Sequence, residues 1–200
     1  MRPESFHRTA VLLSCFTVGY SVLEGVASLI VGSRAGSVAL VGFGLDSLVE
    51  SLSGLVMIWR FWTKRADEAA VEAKAVRLVG YTFFFLGCYV LFDSGKSLYL
   101  QERPGTSVIG ILIAVASIAL MPILSYLKYQ LGKRIGSESL VADSKQSLSC
   151  ALLSVALLGG LILNYAWGLW WADSTAGLLI SLLLFWEGYE TFEKERACGC

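Results

Sequence analysis

The chain has 200 residues, 56% of them hydrophobic and 16% charged, and its mean hydropathy is +0.65. Its 16 basic and 16 acidic side chains give a formal net charge of zero. This composition excludes an ordinary soluble domain. We therefore expect the lipid bilayer as its surroundings and no nucleic-acid partner.

Six apolar stretches are each about 20 residues long, the length that crosses a hydrocarbon core of about 30 Å. They lie at 9–32, 37–61, 77–100, 107–127, 138–163 and 172–192. Because they take up almost the whole chain, we predict an all-α membrane protein, a single domain of six transmembrane helices over 1–200. No removable signal peptide is expected, and we predict a multi-pass protein of the cell (plasma) membrane.

Basic residues concentrate on one side of these spans. The segments before span one, between spans two and three, between spans four and five (Lys128, Lys133 and Arg134), and after span six carry most of them. The opposite side has only Arg34 and Arg103. The positive-inside rule therefore predicts that both termini face the cytoplasm.

No catalytic signature is found in the spans. They contain no glycine-rich phosphate loop, elbow serine or histidine pair, and the one histidine, His7, precedes span one. The five cysteines show no disulfide pattern. Cys198 and Cys200 form either an incidental tail or a pair of thiols that hands metal to the pore entrance, and the sequence leaves both open. We expect neither an enzyme nor a prosthetic group.

Span one contains Glu24, and span two contains Asp46 and Glu50. Residues i and i+4 share a helix face, with Cβ atoms about 5–6 Å apart. Two carboxylates so close repel each other unless a cation or a proton lies between them. Asp46 and Glu50 therefore indicate a cation site; the alternative is that they are protonated and hydrogen-bond a neighbouring helix. The role of Glu24 stays open.

Span five contains Asp143, Gln146 and Cys150, the last two again at i and i+4. Taken alone, a glutamine in a membrane helix often forms a hydrogen bond to a neighbouring helix. A buried cysteine often behaves as a small hydrophobic residue. Their position in an internal repeat strengthens the functional interpretation.

The repeat has an offset of 100 residues. Arg34-Ala-Gly-Ser-Val-Ala-Leu-Val returns as Arg134-Ile-Gly-Ser-Glu-Ser-Leu-Val, and Ser47-Leu48 returns as Ser147-Leu148. Helices 1–2 are therefore predicted to repeat as helices 4–5. Asp46 then corresponds to Gln146 and Glu50 to Cys150, so that two facing pairs could form a four-coordinate site.

These residues resemble the cation diffusion facilitators, a family of metal transporters. The resemblance lies in Gly36-Ser-Val-Ala-Leu with Leu45-Asp-Ser-Leu-Val-Glu, in Ser139-Leu-Val-Ala-Asp-Ser-Lys-Gln with Cys150, and in Trp171-Ala-Asp-Ser. It implies six spans with cytoplasmic termini and a metal site between helices 2 and 5. The implied partner is a divalent metal ion, exported by alternating access in exchange for protons.

Two departures from the family affect this expectation. The family has histidine and aspartate, or two aspartates, where this chain has Gln146 and Cys150. An amide is a weak ligand, Asp143 could supply the missing charge, and a thiolate favours zinc over magnesium or calcium. The chain also stops soon after span six, without the family's cytoplasmic domain, so that a homodimer would form through the membrane helices.

We therefore predict a zinc exporter with Asp46, Glu50, Gln146, Cys150 and Asp143 at the metal site. Two alternatives remain. A proton-coupled exporter of organic cations would need one carboxylate, Glu24 or Glu50, and would tolerate replacement of Gln146 and Cys150. A non-transporting membrane scaffold with a decayed site is favoured by the neutral Gln146.

Overall fold

A computed structural model describes residues 3–62 and 68–198, and within them the side chains of 8–55, 58–59, 80–137, 140–141, 143–190 and 192. Those residues form six α-helices: α1 (Pro3–Ala35), α2 (Val38–Trp62), α3 (Glu68–Leu100), α4 (Val108–Ile135), α5 (Glu138–Trp167) and α6 (Trp170–Cys198). The predicted all-α fold is confirmed, and each expected span overlaps one helix. The pair Cys198 and Cys200 lies outside the described side chains.

The outer surface and the interior have the polarity expected in lipid. Large apolar side chains such as Leu23, Phe85 and Phe92 are exposed, whereas the interior contains many serines and several carboxylates. Soluble proteins show the reverse, since acidic side chains are almost never fully buried there unless paired. An apolar exterior is stable in a bilayer, and a polar interior marks a pathway or a binding site.

Four helices are long and apolar enough to cross a membrane: Arg8–Ala35, Val38–Leu55, Val108–Ile135 and Asp143–Trp167. The described parts of α3 and α6 fall short of that hydropathy because they carry charged residues, Asp93 and Lys96 on α3 and Asp173 and Glu187 on α6. These two helices pack against each other and against α2.

Two tight turns join α1 to α2 and α4 to α5 with the same backbone geometry. Gly36 and Gly136 both have φ +66°, a left-handed conformation that glycine adopts without steric cost. The next residues, Ser37 and Ser137, cap the following helices by accepting hydrogen bonds from the amides of Leu40 and Leu140. The turns thus set the start of α2 and α5 alike. The repeat of whole helices and the side of the termini stay predictions.

Helix α4 extends beyond the predicted end of span four, and the predicted position of Lys128 in a loop is therefore wrong. Helix α4 does not stop near residue 127 but continues to Ile135, where Gly136 ends it. Lys128 therefore lies within a helix rather than in a loop, and its side chain is buried. Nothing between Leu127 and Gly136 breaks a helix, since this segment contains no proline and its single glycine is tolerated.

Helix α2 is the central helix of the bundle. It packs against α1, α3, α5 and α6. A side chain on α2 can therefore meet polar groups from several other helices, and this position fixes where the candidate site lies.

Candidate metal site

Asp46 and Glu50 lie on the buried face of α2, each only 3% exposed. Glu50 accepts hydrogen bonds from two serines on different helices. The Ser21 hydroxyl of α1 lies 3.2 Å from Glu50 Oε2, and the Ser147 hydroxyl of α5 lies 2.9 Å from Glu50 Oε1. The carboxylate of Glu50 therefore joins α1, α2 and α5.

Glu24 of α1 lies in the same polar interior. Its Oε1 accepts a hydrogen bond from the Tyr20 hydroxyl at 3.0 Å, and its Oε2 accepts one from the Ser47 hydroxyl of α2 at 3.2 Å. The Cys150 Sγ of α5 lies 4.0 Å from Glu24 Oε2. The sequence left the role of Glu24 open, and the structure places it beside both α2 and α5.

The two predicted α5 positions have different surroundings. Cys150 is buried at 2% exposure and faces Glu24. Gln146 is half-buried, and its Nε2 has no hydrogen-bond partner among the described residues. Sequence reasoning set Gln146 opposite Asp46, yet no hydrogen bond joins these two side chains in the described part of the chain.

Asp143, which we expected to supply negative charge to a metal, lies beside a lysine instead. Asp143 Oδ2 is 2.9 Å from the Lys128 Nζ, and both side chains are 1% exposed. The contact has the distance of an ion pair without the angles of a hydrogen bond. A carboxylate already compensated by an ammonium group is less available to a metal ion.

Glu187 of α6 is a further acidic side chain near Asp46. It is buried and interacts electrostatically with Asp46. With Glu24 and Glu50 it gives Asp46 three acidic neighbours. Such a concentration of buried carboxylates requires protons or cations for its stability.

The arrangement is a cluster of buried polar side chains rather than a closed coordination shell. We call this cluster the polar chamber; it comprises Glu24, Asp46, Glu50, Cys150 and Glu187 with Ser21, Ser47 and Ser147. No three histidine, cysteine, aspartate or glutamate side chains come close enough to hold one ion within the described side chains. Serine hydroxyls donate hydrogen bonds to the carboxylate oxygens of Glu24 and Glu50. The carboxylates of Glu24 and Glu50 therefore do not point toward a common ion position in this arrangement.

Sequence reasoning missed several groups of this chamber. The sequence pattern places Lys128 between two spans, and Glu187 has no i and i+4 acidic partner in it that would indicate a site. The sequence indicates no role for the serines except at Ser47 and Ser147, which occupy the same position in the two repeats. A role for their hydroxyls in the site could have been inferred from that repetition.

Comparison with known proteins identifies the family. Residues 11–196 match the cation efflux transmembrane domain. The chain is 22% identical over 183 residues to transmembrane protein 163 of Xenopus laevis, covering 90% of this chain and 65% of that protein. It is 24% identical over 183 residues to the manganese efflux system protein MneS of Bacillus subtilis, covering 88% and 62%. It is 26% identical over 181 residues to the magnetosome protein MamB of Magnetospira, covering 86% and 60%.

The chain thus spans less than two thirds of the length of these relatives. The match covers nearly the whole of the present chain and includes all the candidate site residues.

Proposed function

The chain belongs to the cation efflux family, and we propose that it carries divalent metal ions out of the cytoplasm through the chamber between α1, α2 and α5. Members of this family are transporters rather than enzymes. The observation that carries the proposal is the burial of Glu24, Glu50 and Cys150 as electrostatic neighbours in the interior of a bundle whose outer surface is apolar. Buried carboxylates within a membrane are costly and are kept for ions, protons or partners.

The proposed ligands are Asp46, Glu50 and Cys150, with Glu24 as a fourth group in place of the neutral Gln146. Gln146 would then orient the ion or bind it through water, and Asp143 would act through its ion pair with Lys128. In this proposal, arrival of the metal draws the carboxylates away from Ser21, Ser47 and Ser147. These hydroxyls donate hydrogen bonds to the oxygens of Glu24 and Glu50.

Zinc is the proposed cargo because a thiolate with carboxylates suits it better than a hard cation. Manganese is the second candidate, because a relative is a manganese efflux protein. The carboxylate-rich chamber is compatible with it, since oxygen ligands suit manganese. The two cargoes differ in their need for Cys150.

Proton exchange follows from the ligand chemistry in this proposal. Ligands must be deprotonated to bind metal, so that binding releases protons. Alternating access would expose the chamber first to the cytoplasm and then to the exterior, where protons return and metal leaves. A homodimer through the membrane helices stays a prediction.

The test is metal flux into liposomes that contain the purified protein and a zinc-sensitive dye, with Asp46→Ala for comparison. Saturable zinc uptake that Asp46→Ala abolishes would support transport through this chamber. Manganese uptake without zinc uptake would favour the second cargo.

No flux of either ion from folded protein would contradict the proposal. It would leave the exporter of organic cations and the non-transporting scaffold. Uptake of an organic cation that tolerates Cys150→Ala and Gln146→Ala would then identify the exporter.

A further inference from the structure

Lys128 places a positive charge among the carboxylates of the chamber. Among the basic side chains that the structure describes, it is the one that is buried, with 1% exposure. A buried ammonium group is costly unless it is paired and hydrogen-bonded. Its position in a chamber for cations therefore requires a reason.

The contacts of Lys128 lead to Glu50. Its Nζ lies 2.9 Å from Asp143 Oδ2 and donates a hydrogen bond of 2.9 Å to the Ser147 hydroxyl. Ser147 in turn donates to Glu50 Oε1 at 2.9 Å. Because a hydroxyl has a single hydrogen, Ser147 accepts from Lys128 and donates to Glu50, so that the charge of the ammonium group polarises this bond toward the carboxylate.

Resting on the function proposed above, we propose that Lys128 is a built-in cation of the transport site that limits how tightly the site holds a metal ion. Its charge repels the ion and, through Ser147, withdraws electron density from the Glu50 oxygens. Asp143 sets the strength of this effect because it neutralises part of the lysine charge. Lys128 is a positioning residue and not a ligand.

The position of Lys128 next to the site favours release of the metal ion. A transport site must bind an ion favourably enough to take it in and weakly enough to let it go. The carboxylates of Glu24, Asp46 and Glu50 with a thiolate would bind a divalent ion strongly. A fixed positive charge two hydrogen bonds from Glu50 lowers that affinity without removing a ligand.

Two sets of substitutions change the lysine charge felt by the site in opposite directions. Asp143→Asn removes the neutralising partner, so that the full charge acts on Glu50 and affinity for zinc should fall about tenfold. Lys128→Met combined with Asp143→Asn removes the ion pair together, leaves no unpaired buried charge, and should raise affinity by about the same factor. The double variant should also lower the maximal rate of flux, since release slows.

The experiment measures zinc and manganese affinity by calorimetry in detergent, and flux in liposomes, for the wild type and these variants. The control is Lys96→Met, which alters an exposed lysine paired with Glu102 and should change neither quantity. Lys128→Arg keeps the charge and should stay closer to the wild type than Lys128→Met with Asp143→Asn.

Opposite shifts in affinity support the inference. The inference would be overturned if the metal affinities of both variants shifted in the same direction, or did not shift, while the variants had the elution volume and unfolding midpoint of the wild type. Lys128 and Asp143 would then be only a structural ion pair between α4 and α5. Wild-type protein that binds and carries neither metal would overturn the proposed function, and this inference with it. Wild-type transport with unchanged variants overturns the inference alone.

Discussion

The Cys150 Sγ of α5 lies 4.0 Å from the Glu24 Oε2 of α1, although 126 positions separate these residues in the chain. Ser47 of α2 donates to the same Glu24 oxygen at 3.2 Å. One carboxylate oxygen of α1 thus meets both helices that the sequence predicted to hold the metal. This contact makes α1 a third contributor to the chamber.

Glu24→Gln is expected to reduce zinc flux by about 10- to 100-fold, in the range found when groups around a metal site are replaced. The amide keeps the size of the side chain but loses the negative charge that attracts the ion. Liposome flux measures the effect. Glu102→Gln, at an exposed glutamate, is the matched control. Equal loss in both variants, or none in Glu24→Gln, would exclude Glu24 from the pathway.

Cys150→Ser is expected to change selectivity more than rate. The hydroxyl that replaces the thiol is a poor ligand for thiophilic ions, so that zinc and cadmium flux should fall at least about tenfold more than manganese flux. The measurement is the ratio of zinc to manganese flux. Cys88→Ser, at an exposed cysteine of α3, should leave this ratio unchanged. A zinc-to-manganese ratio that Cys150→Ser does not alter would show that the thiol is no ligand.

Asp173→Asn is expected to destabilise the start of α2. The Ser37 hydroxyl donates to Asp173 Oδ1 at 2.5 Å, and the carboxylate of Asp173 thereby lies beside the first residues of α2. A negative charge at a helix N-terminus is favourable, and loss of such a charged hydrogen bond costs about 1–3 kcal/mol. Thermal unfolding in detergent should show a lower midpoint. Asp93→Asn, at a half-buried aspartate of α3, is the control, and an unchanged midpoint for Asp173→Asn would refute this role.

Gly25→Ala is expected to force α1 and α2 apart. A Cβ at Gly25 would lie 2.9 Å from the Gly44 carbonyl oxygen and from the side chain of Leu48. Overpacking of this kind costs about 1–3 kcal/mol, and it would move Glu24 away from Ser47. Both the unfolding midpoint and the flux should fall.

Gly19→Ala is the matched control on the same helix. A Cβ at Gly19 meets nothing within 4 Å, and alanine favours a helix over glycine by about 1 kcal/mol. Gly19→Ala should therefore be neutral or stabilising. If both variants behaved alike, helix propensity rather than the close contact would decide the outcome.

The sequence predicted those features that depend on local pattern. Apolar length predicted the helices, and the i and i+4 spacing of Asp46 and Glu50 predicted two acids on one face of α2. Both side chains are buried there. The Gly-Ser pairs at 36–37 and 136–137 predicted that one connection between helices occurs twice, and the two turns have the same geometry.

The features that the sequence did not predict depend on which helices meet. Lys128 follows an apolar stretch, and a basic residue in that position is usually a loop residue facing water; only packing of α4 on α5 shows that it reaches Asp143. Glu24 has no second acidic residue one turn away on α1, so that the sequence offered no spacing to interpret. Apart from Tyr20, its neighbours come from α2 and α5, far away in the chain.

A zinc site that includes Cys150 can be tested by the zinc X-ray absorption spectrum of the purified, zinc-loaded protein. Cys15, Cys88, Cys198 and Cys200 would first be changed to serine, so that only Cys150 can supply sulfur. We expect one sulfur at about 2.3 Å and oxygens at about 2.0–2.2 Å, with the sulfur lost in Cys150→Ser. A spectrum with oxygen ligands alone, or no zinc retained by folded protein, would contradict a zinc site in this chamber.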